Sequence, residues 1–149
     1  MNKYEQIEIL LVEDNPNDVE LTLRAFKKSN LDNKVYVVTD GAQALDFIFC
    51  TGAYTDRNIK SPPKVILLDL KLPKVDGKEV LRRIKLDEKT KVIPVVIMTS
   101  SQEESDVVES YHLGANSYIV KPIDFEKFGH MIAGLGMYWI FINKKPPIV

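Results

Sequence analysis

A chain of 149 residues, 45% of them hydrophobic, carries apolar material for one packed domain and too little for two. Its 20 basic and 21 acidic side chains leave a formal charge of −1, so neither nucleic acid nor a membrane surface is expected as a partner. The single Cys50 rules out an intramolecular disulfide, no apolar run nears the roughly 18 residues of a spanning helix, and the start Met1-Asn2-Lys3-Tyr4-Glu5 does not read as a signal peptide, so a cytoplasmic setting is expected.

Apolar runs alternate with helical patterns along the whole length. Ile7 to Val12 predicts a first strand, followed by a helix over Asp18 to Ser29 with Val19, Leu21, Leu23 and Phe26 set among charges. Val35 to Val38 predicts a second strand, and Gly41 to Cys50 a helix carrying Ala44, Leu45, Ile48 and Phe49. The polar stretch Tyr54 to Pro63, with its prolines, predicts a loop insertion. Val65 to Leu68 is a third strand, Lys78 to Leu86 a helix, and Val92 to Met98 a fourth strand. Ser101 to Leu113 predicts a helix whose Ser-Gln-Glu-Glu start suits capping and places acids where the helix dipole favours them. Tyr118 to Val120 is the fifth strand. Asp124 to Ile142 is the last helix, with a stripe at Phe125, Phe128, Ile132, Leu135, Trp139 and Ile142. The first, third and fourth strand runs are nearly continuous in Val, Ile and Leu, as in parallel strands covered on both faces. Five such units predict a doubly wound α/β domain over residues 1–143 with a short tail, 144–149.

In an open α/β sheet, ligands sit beyond the carboxyl ends of the strands. Glu13 and Asp14 end the first strand, Asp69 the third, Thr99 and Ser100 the fourth, and Lys121 the fifth. At about 4 Å and an effective dielectric near 20, each pair of like charges costs on the order of 4 kcal/mol, so the acids must be partly protonated or hold a cation. All-oxygen ligands and no Cys/His cluster favour a hard ion, with Mg²⁺ preferred because it retains waters and takes few carboxylates. His112 and His130 fall on helices. An aspartate can act as a nucleophile toward phosphorus. Asp69, central between the acidic pair and the Thr99/Lys121 pair, is the candidate acceptor, with cation and lysine neutralising the transferring group and Thr99 donating to it.

These residues resemble the receiver domain of two-component response regulators. The likeness rests on Leu10-Leu11-Val12-Glu13-Asp14-Asn15, Leu67-Leu68-Asp69-Leu70-Lys71-Leu72-Pro73, Asp76-Gly77, Met98-Thr99-Ser100 and Ser117-Tyr118-Ile119-Val120-Lys121-Pro122, in that order and each at its strand end. It implies strand order 2-1-3-4-5 and Asp69 as phosphoacceptor, with Mg²⁺ held by Asp14, Asp69, Glu13 (mainly through water) and the Lys71 carbonyl. It implies Thr99 and Tyr118 as switch residues, Lys121 as holder of a phosphoryl oxygen, a cis Lys121-Pro122 bond, and Lys71 and Ser101 as residues that tune dephosphorylation. It further implies a histidine kinase as partner and no turnover of a metabolite. The insertion Tyr54 to Pro63 and the ending Tyr138-Trp139-Ile140-Phe141-Ile142-Asn143 resemble the small single-domain regulators that partner bacteriophytochromes, some of which form dimers through the fourth helix, fifth strand and fifth helix.

Plainer roles compete at several positions. Glu13 and Asp14 also suit a helix start, any of Thr99, Ser100 and Ser101 could cap the next helix, and Tyr118 could simply fill a half-buried edge. Cys50 reads as a small core residue and Gly77 as a turn needing positive φ. Met131, Tyr138 and Phe141 form a second apolar face on the last helix, readable as a dimer surface. A relay to a histidine phosphotransfer protein is open as the output. An aspartyl-phosphate hydrolase would need a second aspartate where Lys71 stands, and a flavin carrier a hydroxyl-rich loop where Asp14-Asn15-Pro16-Asn17 stands. A receiver acting without phosphorylation is the remaining class.

Overall fold

Short runs of Val, Ile and Leu extend because branched side chains pack well on a pleated surface. In the computed structural model, which describes residues 4 and 6–147, they form β1 (Ile9–Val12), β2 (Val35–Val38), β3 (Val65–Leu68), β4 (Val95–Thr99) and β5 (Ser117–Val120). The strands make one parallel sheet in the expected order β2-β1-β3-β4-β5. Val12 lies beside Val38 and Leu68, Leu68 beside Ile97, and Thr99 beside Val120, so all five carboxyl ends meet at one edge. Because the order reverses between β1 and β3, that edge opens a crevice there.

The helices are α1 (Pro16–Lys28), α2 (Gly41–Phe49), α3 (Gly77–Leu86), α4 (Glu104–His112) and α5 (Phe125–Gly136). Alternation along each strand divides the core in two. Leu10, Val12, Ile66 and Leu68 face α2 and α3 with Phe47 and Ile84, while Ile9, Leu11 and Leu67 face α1 and α5 with Phe26, Phe128 and Ile132. No helix among the described residues is long and apolar enough to cross a membrane. Ile148 and Val149 of the predicted tail, and Met1 to Lys3 and Glu5 at the start, lie outside the described residues.

Several local expectations are revised. α1 begins at Pro16, where a missing N–H costs nothing, and the Asn15 side chain caps it by accepting from the Asn17 and Asp18 amides. β1 begins at Ile9 rather than Ile7, and β4 at Val95, after Pro94, leaving Val92 half exposed. α4 starts at Glu104, so Ser101 belongs to the loop before it. The predicted last helix divides into α5 and a π-helical turn, Met137–Ile142. The wider turn rotates the inward face, so Ile140 is buried and Ile142 exposed. Phe125, the other end of the predicted stripe, is also exposed, and Met131 packs against the core instead of joining Tyr138 and Phe141 outside.

The insertion is anchored rather than a free polar loop. Tyr54 is buried against Tyr36, Phe47 and Tyr4, with ring centroids 5.1 to 5.9 Å away. Arg57 is buried too, its guanidinium 3.9 Å above the Phe47 ring and donating to the Phe47 and Ser61 carbonyls. Cys50 closes α2 in the left-handed conformation with its sulfur 3.3 Å from Arg57, a half-buried helix end and not a core residue. Gly77 does not have positive φ: an added Cβ would stand 2.3 Å from the Asp69 carbonyl oxygen, and that close approach is what requires glycine. The Lys121–Pro122 peptide is trans, as are all described peptides.

Candidate functional site

Glu13 follows β1 and Asp69 follows β3, each tied to the neighbouring strand through its amide: Glu13 donates to the Val38 carbonyl, Asp69 to the Val12 carbonyl. Paired backbone thus brings both acids to the crevice mouth. Glu13 and Asp69 are buried, Asp14 is exposed, and one carboxylate oxygen from each of the three lies within 4.8 Å of the others. The expected juxtaposition of these acids is present. Such a set of hard oxygen donors fits a divalent cation that keeps much of its water shell.

Lys121 reaches the same point from β5, its backbone fixed by donation to the Thr99 carbonyl at 2.7 Å. Its Nζ lies 2.6 Å from Glu13 Oε1, 2.8 Å from Asp18 Oδ2 and 3.0 Å from Asp69 Oδ2. Burial alone would lower the lysine pKa, but hydrogen bonds to Asp18 and Glu13 and the charges of Asp69 and Glu13 raise it above the ordinary value. Glu13 moves the opposite way from a paired acid. Burial pushes its carboxyl up to about 7, Lys121 pulls it down, and the Asp69 charge adds to the rise. Loss of solvent at this depth outweighs the pairing with Lys121, so Glu13 resists ionisation even beside an ammonium.

Thr99 is fully buried at the end of β4, and its Oγ1 lies 3.4 Å from the Ser101 amide, which donates to it. Tyr118, half-buried, donates to the Ser101 carbonyl at 3.1 Å. The Ser101 hydroxyl donates to Asp106 at 2.6 Å, and Lys78 bridges Asp106 and Glu109 at 2.6 and 2.8 Å. Thr99, Ser101 and Tyr118 therefore form a hydrogen-bonded layer linking the sheet edge to α4 and α3. The Lys71 side chain is exposed, and its amide donates to Asp69 Oδ1 at 3.3 Å.

Residues 9–133 match the family described as the response regulator receiver domain. The chain belongs to that family. Among relatives of this receiver, the response regulator Rcp1 of Synechocystis sp. is 41% identical over 133 residues, 89% of this chain and 88% of Rcp1. The crystal structure of the Mn(2+)-bound form of Rcp1 superposes with a TM-score of 0.85 at 38% identity, covering 93% of this receiver and 98% of that chain. The bacteriophytochrome response regulator RtBRR is 55% identical with a TM-score of 0.73, covering 93% and 83%.

Asp18 escaped the sequence reading. It sits in the first turn of α1, where an acid is explained by the helix dipole alone, and nothing local distinguishes it from such a residue. Asp14, four residues earlier, precedes the Asn15 cap and so shares no helix face with Asp18.

Proposed function

We propose that this receiver is a phosphorylation-dependent signalling switch: a histidine kinase donates a phosphoryl group to Asp69, Mg²⁺ assists, and the result is read out as altered protein contacts and not as turnover of a metabolite. The observation that carries the reading is the meeting of Glu13, Asp69 and Lys121 within hydrogen-bond distance at the crevice between β1 and β3. Glu13, Asp14 and Asp69 would hold the ion, with the Lys71 carbonyl completing the protein's share; when bound, the ion supplies positive charge against the phosphoryl oxygens.

An Asp69 carboxylate oxygen attacks phosphorus, and the O–P bond forms as the P–N bond to the donor imidazole breaks, with the electron pair leaving on nitrogen. Lys121, already beside Asp69, neutralises a phosphoryl oxygen. Thr99 presents its hydroxyl from the adjoining strand end, and its departure from the Ser101 amide would pass through Ser101 to Tyr118 and to α4. Lys71, exposed beside Asp69, and Ser101 are the residues we assign to tuning the loss of phosphate. After incubation with Mg²⁺ and a small-molecule phosphodonor, intact-mass analysis is expected to show one phosphate adduct that vanishes in Asp69→Asn. An adduct that persists in the mutant would move the acceptor elsewhere.

Likeness to the bacteriophytochrome regulator RtBRR supports a phytochrome-type kinase as the donor. A homodimer through α4, β5 and α5 is supported by Val108, Tyr111, Val120 and Phe125, all apolar and 38–56% exposed on those three elements. Sedimentation velocity should show a dimer that Tyr111→Glu converts to monomer; a monomer at high protein concentration, with or without a phosphoryl mimic, would refute the dimer.

A further inference from the structure

A lysine ammonium has three N–H donors, and Lys121 spends all three on carboxylates from three different elements. Two of them, Glu13 and Asp69, belong to the oxygen set that fits a cation, and Asp69 is also the acceptor. Both therefore have a second use, in which a cation draws on the negative charge that they share with Lys121. The Lys121 side chain is only 9% exposed, so water is poorly placed to take over. A buried ammonium held less firmly by two of its three partners leans more on the third.

Asp18 is the partner without a second use. It lies outside the group of carboxylates whose oxygens all fall within 4.8 Å of one another. Its place is firmly set: the Asp18 amide donates to the Asn15 cap at 3.3 Å, and its carbonyl accepts from the fully buried Thr22 hydroxyl at 2.7 Å. Its side chain is 23% exposed against 1% for Glu13, at the rim of the site and not inside it. We propose that Asp18 is a positioning residue that holds the Lys121 ammonium in place while Glu13 and Asp69 share their charge with a cation, so that Lys121 stays aimed at Asp69 for the incoming phosphoryl group.

The proposal rests on Glu13 and Asp69 as cation ligands, and a double-mutant cycle on Mg²⁺ affinity tests the two separately. Titration calorimetry would compare wild type, Asp18→Asn, Lys121→Met and the double variant, with Lys121→Gln replacing Lys121→Met should the latter not fold. Removing the Asp18 charge weakens Mg²⁺ in either background through long-range electrostatics. If Asp18 serves Lys121, the loss in the wild-type background exceeds that in the Lys121→Met background by about fivefold. Asp18→Glu, which retains a carboxylate, is expected to restore most of the affinity. Equal losses in both backgrounds would overturn the assignment and leave Asp18 as a bystander charge. Failure of the wild-type protein to bind Mg²⁺ would overturn the ligand reading itself, and this proposal with it.

Discussion

Gly77→Ala is expected to destabilise the fold by about 3 kcal/mol and to abolish phosphoryl acceptance in whatever fraction remains folded. The first helical position of α3 ordinarily welcomes alanine, which gains up to about 1 kcal/mol over glycine in a helix. Here the gain is outweighed. A Cβ at residue 77 would sit 2.3 Å from the Asp69 carbonyl oxygen, 2.6 Å from Leu70 Cα and 2.8 Å from the Leu70 carbonyl oxygen. All three are backbone atoms, which cannot swing aside as a side chain can. The Gly77 amide also donates to the Leu70 carbonyl at 2.9 Å, so relieving the clash breaks that bond and shifts the segment carrying the acceptor. Urea unfolding with an intact-mass adduct assay on the same protein checks both parts. A variant as stable as wild type would show that α3 can retreat from the β3 end without cost.

Lys121→Met is expected to lower stability by about 3 kcal/mol in metal-free protein at pH 8, because it leaves acids packed together with no cation. Glu13 and Asp69 have side chains 1% and 10% exposed, so solvent screens them little. The pH dependence follows from Glu13. Its folded carboxyl, held up by burial to about 7 against an ordinary 4.5, favours the protonated form. The stability it contributes is fully present below about 4.5 and is lost as pH rises through about 7. Lys121 opposes that rise, so removing it moves the carboxyl further up and deepens the loss between pH 5 and 8. The deficit should therefore shrink toward pH 5, and shrink also at pH 8 when Mg²⁺ supplies the missing charge. Urea midpoints at both pH values, with and without Mg²⁺, measure it. A deficit indifferent to pH and to Mg²⁺ would mean that the lysine's packing, and not its charge, is what the fold misses.

Much of this protein is decided locally. Continuous Val, Ile and Leu at β1, β3 and β4 suit strands buried on both faces, and the alternation of such runs with helical spacing points to a doubly wound sheet. Once that topology is set, every strand end points to one edge, so Glu13, Asp14, Asp69, Thr99 and Lys121 can be gathered from their positions alone. What the residues could not declare are relations between elements. Asp18 and Lys121 meet across 103 residues, and nothing in the first turn of α1 marks an acid that serves a distant lysine over one that serves its own helix. Gly77 looks like turn chemistry until the packing of α3 on the Asp69 backbone exposes a steric need. Arg57 reads as loop polarity until the ring of Phe47 lies beneath it, and Ile142 reads as core until a π-helical turn shifts the phase of the inward face to Ile140. Periodicity and strand-end position are properties of the chain's local geometry and survive in its sequence. Contact distances between packed elements depend on the whole fold, so only the tertiary structure decides them.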